Sequence, residues 1–456
     1  MCAVLPRASA PDGNSQAPQA VDWVLTDAWV ISCDHLLSTI PQGAVAIDDG
    51  IIVGVGAADD IGRRFQGRRE VDLADHLLLP GLINAHTHAA MTCFRGLGDD
   101  LPLNQWLQEV IFPTEARWVR PELVYWGTLL AAVEMLANGI TTFCDGYFFE
   151  ESAARAALDS GIRAVLGQGV LDFPTPDQPD PVRMRDRVAE FLESFPPSNG
   201  RLRPSLFCHA PYTCSPETLQ WVKELCRQRG LLFQTHLSET AGEVNEIQER
   251  YGERPVFFLE RLGILDSATL CAHGVWLERE EIECLAKHQV GLAHTAESNM
   301  KLASGIAPVP AMLAAGIKIG LGTDGCASNN SLDVFAEMDM VAKVHKVFDK
   351  DPVVCSARQV LHMGTLQGAR ALCWDDAIGS LEVGKQADII AIDVRRPHLT
   401  PLYDPISHLV YAVSGSDVSH VWVGGRQVLG DGRILTVDVA DVMAEVRELA
   451  RKITER

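Results

Sequence analysis

Two histidines two residues apart follow an apolar run in the stretch "HLLLPGLINAHTHAAM". In a β-strand, residues i and i+2 project from the same face, so His86 and His88 are placed to share one metal ion. The alternative is a turn that exposes both imidazoles to solvent. The spacing alone leaves both interpretations open.

Three further polar residues stand at the ends of apolar, β-rich runs. His236 ends "LLFQTH", His273 ends "ATLCAH" and Asp324 follows "GIKIGLGT". In a parallel barrel, the carboxyl ends of the strands form the face where active sites are assembled. Together with the first pair, these residues favour a catalytic zinc ion, with iron or manganese as less favoured occupants. Such a site lowers the pKa of bound water to about 7, so the pattern predicts metal-assisted hydrolysis.

The rest of the chain supplies elements that can hold these strand ends. Residues 81–385 alternate apolar strands with helical stretches, which predicts an α/β fold of the TIM-like (β/α)8 barrel type. Short alternating segments in 21–80 and 386–430 predict two parts of one small β-sandwich module. Residues 431–456 are periodic at helical spacing and predict a C-terminal helix. The Ala-, Pro- and Ser-rich residues 1–20 are expected to be a disordered lead-in.

Composition narrows the function classes. The 456-residue chain carries a formal charge of −21, which disfavours nucleic acid and acidic membrane surfaces as partners. The sequence lacks both an export signal and an apolar run of about 20 residues, so we expect no membrane span. Twelve cysteines without a C-x-x-C pair are expected to be reduced thiols in the cytoplasm.

Longer motifs carry a family resemblance. The chain resembles the amidohydrolase superfamily, in its branch of ring aminohydrolases, and is most similar there to the 5-methylthioadenosine/S-adenosylhomocysteine deaminases. The resemblance covers nearly everything from about residue 21 and rests on "LPGLINAHTHAAMTCFRGLGDDLPLNQWLQ", "HAPYTCS", "THLSET", "ESNMKLASGIAPV", "LGTDGCASNNSLD" and "IGSLEVGKQADIIAID". It implies a zinc-dependent deaminase, and it implies a homo-oligomer, a dimer or tetramer, because relatives commonly are.

The resemblance also implies roles for individual residues. One zinc ion would be ligated by His86, His88, His236 and Asp324. Asp324 would also accept the proton of the attacking water, and His273 would orient that water. Glu239 would carry a proton to the ring nitrogen and then help ammonia leave, since attack on the adenine ring builds negative charge that a positioned acid can neutralise. The alternative for Glu239 is a carboxylate that simply favours the first turn of a helix.

Substrate contacts are implied in the same way. Trp106 would pack on the substrate, Glu115 would accept hydrogen bonds from ribose hydroxyls, and Ser328 would contact the base. His209 would remain as a contact near the amino-acid carboxylate of S-adenosylhomocysteine. The alternatives are a core tryptophan and a surface glutamate. Gln168 stands where relatives that accept S-adenosylhomocysteine carry an arginine for its carboxylate. A neutral amide gives up the bidentate contact of arginine, which predicts a preference for 5-methylthioadenosine and adenosine.

A second departure from the family pattern is "AHTAESN", where relatives usually read His-Asn-Pro before Glu-Ser-Asn, and we expect a local loop change without loss of chemistry. Two other functions stay open. One is a guanine or cytosine deaminase or chloro-s-triazine hydrolase on the same fold, against which Glu239 speaks because ammonia needs a proton donor to leave. The other is a metal-free barrel scaffold, which would be expected to lose ligands that here are all present.

Overall fold

The computed structural model describes residues 17–102, 105–198 and 200–455. Most of the expected lead-in lies outside these residues, but Gln19 and Ala20 already belong to the first strand. The strands are β1 (Gln19–Ile31), β2 (Thr39–Asp48), β3 (Ile51–Ala57), β4 (Phe65–Asp72), β5 (His76–Pro80), β6 (Leu82–Thr87), β7 (Ile140–Tyr147), β8 (Arg163–Val170), β9 (Leu202–Cys208), β10 (Leu232–Leu237), β11 (Thr269–His273), β12 (Gly291–His294), β13 (Lys318–Leu321), β14 (Ile389–Asp393), β15 (Val418–Val423), β16 (Arg426–Gly430) and β17 (Arg433–Ile434).

The α-helices are α1 (Ala58–Arg64), α2 (Phe112–Trp118), α3 (Pro121–Ala137), α4 (Glu150–Ser160), α5 (Met184–Ser194), α6 (Pro216–Arg229), α7 (Ala241–Tyr251), α8 (Pro255–Arg261), α9 (Arg279–Lys287), α10 (Ala296–Lys301), α11 (Val309–Ala314), α12 (Val334–Asp349), α13 (Ala357–Met363), α14 (Leu366–Ala371), α15 (Pro405–Tyr411) and α16 (Val439–Thr454). A wider helical turn, Trp106–Ile111, leads directly into α2. Among the described residues, no helix combines the length and the apolar character needed to cross a bilayer.

The eight strands β6 to β13 form the predicted barrel. Each pairs in parallel with the next along the chain, and β6 and β13 meet where the backbone N–H of Asp324 donates to the carbonyl of His86 at 3.0 Å. Strands such as β6, β7 and β8 are buried along their whole length, as expected for parallel strands covered by helices. The fold class predicted from the sequence is therefore confirmed.

Local sequence explains how a typical covering helix forms. Helix α6 begins after Ser215, whose hydroxyl accepts a hydrogen bond from the third residue of the helix, and Pro216 occupies the first helical position. The helix ends at Gly230, which adopts the left-handed conformation that glycine tolerates. Its buried side chains recur at helical spacing and pack on the barrel: Leu219, Val222 and Cys226.

The terminal segments build one mixed sheet, as the sequence indicated. Its strands follow the order β17-β16-β15-β14-β5-β1-β2-β3, with β4 paired to β1. Strand β5 pairs with β1 on one side and with β14 on the other, so the two ends of the chain meet there. The helix predicted over 431–456 begins only at Val439, after an Asp438 cap, because β17 first extends the sheet.

A buried ion pair connects this sheet to the barrel. Arg163, at the start of β8, donates to both carboxylate oxygens of Asp388, at 2.6 and 2.9 Å. Asp388 also accepts the backbone N–H of Gly424 at 2.7 Å, and the guanidinium lies over the ring of Trp374. The side chains of Arg163 and Asp388 are 1% and 3% exposed, so neither charge has water as a substitute partner.

Candidate metal centre and active site

The four predicted metal ligands converge at the carboxyl ends of the barrel strands. The donor atoms of His86, His88, His236 and Asp324 all lie within 4.8 Å of one another. The Nε2 atom of His236 is 3.2 Å from that of His86, and Asp324 Oδ1 is 3.6 Å and 3.2 Å from the Nε2 atoms of His86 and His88. The first pair of histidines therefore faces into the barrel and not into solvent.

This donor set fits a tetrahedral zinc ion. Zinc–ligand bonds of ~2.0–2.1 Å place neighbouring tetrahedral donors about 3.3 Å apart, close to the separations found here. Burial lowers the pKa of His86 to about 4, which keeps its ring neutral and its lone pair available. The Nδ1–H of His88 donates to the carbonyl of Gly146 at 2.7 Å, an orienting contact typical of metal-bound histidines.

Asp324 is held in one position and one charge state. Its Oδ2 accepts hydrogen bonds from the hydroxyls of Ser298 at 2.7 Å and Ser328 at 2.9 Å, which leaves Oδ1 towards the histidines. Although burial opposes ionisation, the adjoining imidazoles of His86 and His88 hold the pKa of Asp324 well below its usual value. Its φ of +58° is in the left-handed region, a strained conformation that concentrates at functional sites.

Glu239 and His273 lie beside this cluster. Glu239 Oε2 is 3.9 Å from His273 Nε2, and burial raises the pKa of Glu239 above its usual value. On its far side, His273 Nδ1 is 2.9 Å from Asn299 Oδ1 and 2.9 Å from Thr295 Oγ1. An N–H at Nδ1 satisfies the amide oxygen, so Nε2 is directed towards Glu239. The pair can therefore hold and move a proton next to the metal ligands.

Glu243 fixes the turn that carries Glu239. From the first turn of α7 its two carboxylate oxygens accept the backbone N–H groups of Ser238 and Glu239, each at 2.8 Å. Ser238 has a φ of +50°, and its carbonyl accepts the N–H groups of Val275 and Trp276 from the loop after β11. One buried carboxylate thus positions the proposed acid relative to the neighbouring strand end.

A cavity of about 930 Å³ opens above these residues, a volume suited to a small organic ligand. Trp106, Glu115, His209 and Ser328, all predicted from the sequence as substrate contacts, line it. Glu115 is buried, accepts the phenolic O–H of Tyr147 at 2.6 Å and has its pKa raised by burial to about 7. The wall therefore includes a carboxylate with a perturbed pKa.

Gln168 is not part of this wall. Side chains alternate across a strand, and Gly167 and Gly169 of β8 face the barrel interior, so Gln168 points outward to the helices. Its amide donates to Asp177 at 2.8 Å and accepts from Arg187 at 3.1 Å. Gln168 therefore lies behind the residues that line the cavity, and its amide is engaged by Asp177 and Arg187.

One part of the cavity wall is formed by apolar rings. Phe112 and Phe173 stand with ring centroids 6.1 Å apart, next to Pro174 and Pro176. Within the described part of the chain, the residues that line the cavity include neither lysine nor arginine. This region suits a neutral, apolar substituent better than a carboxylate.

Three contacts at the site were not anticipated from the sequence. Tyr147 bonds Glu115, Thr295 bonds His273, and Glu243 bonds the turn of Glu239. Thr295 belongs to the "AHTAESN" departure, so that change reaches a candidate catalytic residue as well as the loop. The T-x-x-E spacing of Thr240 and Glu243 is a helix-start signal, and it marks the position of Glu243 without revealing how far back its side chain reaches.

Comparison with known proteins shows the family of the chain and several similar deaminases. Residues 77–428 match the model of the amidohydrolase family. A 5-methylthioadenosine/S-adenosylhomocysteine deaminase of Syntrophobacter fumaroxidans is 47% identical over 97% of this chain and 99% of its own. A 5'-deoxyadenosine deaminase of Methanosarcina acetivorans is 40% identical over 95% of this chain and 99% of its own. The crystal structure of an adenosine deaminase from Xanthomonas campestris with bound zinc superposes with a TM-score of 0.93 at 37% identity, covering 96% of this chain and 99% of that one.

Proposed function

The chain belongs to the amidohydrolase family, and we propose that it is a zinc-dependent deaminase which converts the adenine ring of 5-methylthioadenosine and adenosine to hypoxanthine with release of ammonia. The observation that carries this proposal is the position of the Glu239 carboxyl. It lies in the cavity beside the three-histidine, one-aspartate cluster, with a raised pKa and with His273 at 3.9 Å. A proton donor at this place is what the loss of an amine requires.

When bound by the four ligands, one zinc ion per chain would lower the pKa of a coordinated water and so supply a nucleophile at neutral pH. Asp324, fixed by two serine hydroxyls, would accept the proton of that water. Glu239 keeps its proton more readily than an exposed glutamate and can deliver it to a ring nitrogen. His273, whose other nitrogen is engaged by Asn299 and Thr295, would orient the water through Nε2.

The cavity supports a choice among adenosine derivatives. Our proposal assigns Glu115 to the ribose hydroxyls and Trp106 to packing on the substrate, and both line the cavity together with His209. The phenylalanine- and proline-lined part of the wall offers no cation among its described residues. We therefore expect 5-methylthioadenosine and adenosine to be better substrates than S-adenosylhomocysteine, whose amino-acid carboxylate would be desolvated without a partner.

A cytoplasmic location and a homo-oligomeric state are part of the same proposal. All eleven described cysteines are unpaired, and ten of them are buried, which agrees with reduced thiols in a cytoplasm. A homo-oligomer, a dimer or tetramer, is expected on the family resemblance. Sedimentation of the purified protein at several concentrations measures this directly.

The decisive experiment follows the adenine-to-hypoxanthine absorbance change with the zinc-loaded protein. 5-Methylthioadenosine, adenosine and S-adenosylhomocysteine are compared by kcat/KM, and guanine, cytosine and a chlorotriazine are tested separately as alternative substrates. We expect turnover of the adenosine derivatives and its abolition in Glu239→Gln, with the metal content unchanged. Glu246→Gln, a charge change at the exposed rim of the same cavity, is the matched control. No turnover of the three adenosine derivatives by metal-loaded protein would refute the proposal.

A further inference from the structure

A second cluster of metal-ligating side chains lies among the outer helices, apart from the cavity. Glu260 of α8, Cys284 of α9 and His288, the residue that ends α9, each place a ligand atom within 4.8 Å of the other two. Cys284 and His288 are four residues apart and so face the same side of α9. That side is turned towards the preceding helix, from which Glu260 approaches.

The contacts inside the cluster are short and mixed in character. His288 Nε2 is 2.9 Å from Glu260 Oε1, and the ammonium of Lys287 is 3.1 Å from the same oxygen. Cys284 is buried, whereas Glu260 and His288 are each about one-third exposed, at 33% and 28% of their side chains. A metal ion can therefore reach the cluster from solvent and find the thiol on its inner side.

A simple ion pair does not account for all three residues. Glu260 with Lys287 and His288 joins the two helices electrostatically, and the Cys284 thiol also contacts the Glu260 carboxylate from the buried side. Thiol, imidazole and carboxylate together are the ligand types that zinc and its analogues take in tetrahedral sites. Lys287 is 70% exposed, so its ammonium is free to move into solvent when a cation replaces it on the carboxylate.

We propose that Glu260, Cys284 and His288 form a second, peripheral site for a divalent metal ion of the zinc class, independent of the site at the barrel mouth. Three protein ligands leave one position for water, and the charge of the metal ion is balanced by one carboxylate and one thiolate. Because the thiolate and not the thiol is the ligand, binding must release the proton of Cys284.

Sulfur distinguishes the two sites experimentally. The site at the barrel mouth contains only nitrogen and oxygen ligands, whereas the peripheral site contains a thiolate. Cobalt(II) added to enzyme that carries a single equivalent of zinc, held by the four ligands at the barrel mouth, should therefore produce a thiolate-to-cobalt charge-transfer band in the near ultraviolet. Metal analysis after removal of free ions should give two equivalents per chain in place of one.

Variants make the assignment residue by residue. Cys284→Ser should lose the band and the second equivalent, and His288→Gln should lose the second equivalent, while both keep the metal at the barrel mouth. Cys373→Ser, which removes the exposed cysteine, is the matched control and should behave as the unaltered chain. One equivalent at saturating cobalt, or an unchanged band in Cys284→Ser, would overturn the proposal. His288→Gln keeps the test open if the cysteine variant fails to fold.

Discussion

Replacing Glu243 by glutamine should slow the reaction without disturbing the metal or the binding of substrate. Glu243 touches neither the metal ligands nor, in our proposal, the adenine ring. Its two oxygens each accept a backbone N–H at 2.8 Å, from Ser238 and from Glu239. Glutamine keeps the shape of the side chain but turns one of the two acceptors into a donor.

The structure sets the size of the effect. One buried backbone N–H loses its acceptor, which costs ~1–3 kcal/mol. If that free energy is lost from the position of the Glu239 carboxyl in the transition state, kcat falls roughly 5- to 150-fold. The KM for 5-methylthioadenosine should change little, because Glu243 borders the cavity beside Glu239 and is not among the residues assigned to the ribose and base.

The assay is steady-state kinetics with metal content and thermal unfolding measured on the same samples. Glu246→Gln is the control, since Glu246 lies on the same helix, at the exposed rim of the cavity, and is paired with Arg250. Its kcat should stay within about twofold, as expected for an exposed pair. An unchanged kcat in metal-loaded Glu243→Gln, or a change confined to KM, would show that this carboxylate does not position Glu239.

Three further predictions concern other parts of the chain. Burial raises the pKa of Glu115 from 4.5 to about 7, so its ionisation costs the folded state free energy and the free energy of unfolding should fall as pH rises across that range. In urea unfolding at several pH values, Glu115→Gln should flatten this dependence on pH. An unchanged dependence on pH would contradict the prediction. Arg163→Met leaves Asp388 buried and unpaired and should lower the free energy of unfolding by ~3–5 kcal/mol, whereas a loss below about 1 kcal/mol would refute the role of the pair. Thr295→Val removes a hydroxyl 2.9 Å from His273 Nδ1 and should reduce kcat roughly fivefold, with Thr295→Ser recovering most of it; equal rates in the two variants would exclude the contact.

The barrel and its metal centre could be predicted because they rest on local, repeating signals. His86 and His88 are two apart on one strand, and His236, His273 and Asp324 each close an apolar run, so the parallel topology alone brings them to one face. Pairing of the N- and C-terminal strands could also be expected, because both segments show the same short alternation of apolar and polar residues. The exact start of the last helix could not, because Arg433 and Ile434 extend a sheet whose edge the sequence does not reveal.

Long-range geometry decides the features of the site that the sequence does not reveal. Whether Gln168 faces the cavity or the helices depends on which side of β8 is the barrel interior, and a shift of one residue reverses the answer. Thr295 reaches His273 from a different strand end, and Glu243 bonds backwards across a turn whose left-handed residue is a serine. No fixed sequence spacing predicts these contacts.

The pairing of β5 with both β1 and β14 has a consequence for folding during synthesis on the ribosome. Leu79 is opposite Ile390, so one partner of an early strand is made more than three hundred residues later. At ~5–20 residues per second, translation of the intervening chain takes roughly 15 to 60 s. During that interval the edge of β5 that later pairs with β14 is unpaired. The nascent chain therefore has time to complete barrel strands before the N-terminal sheet receives its C-terminal strands.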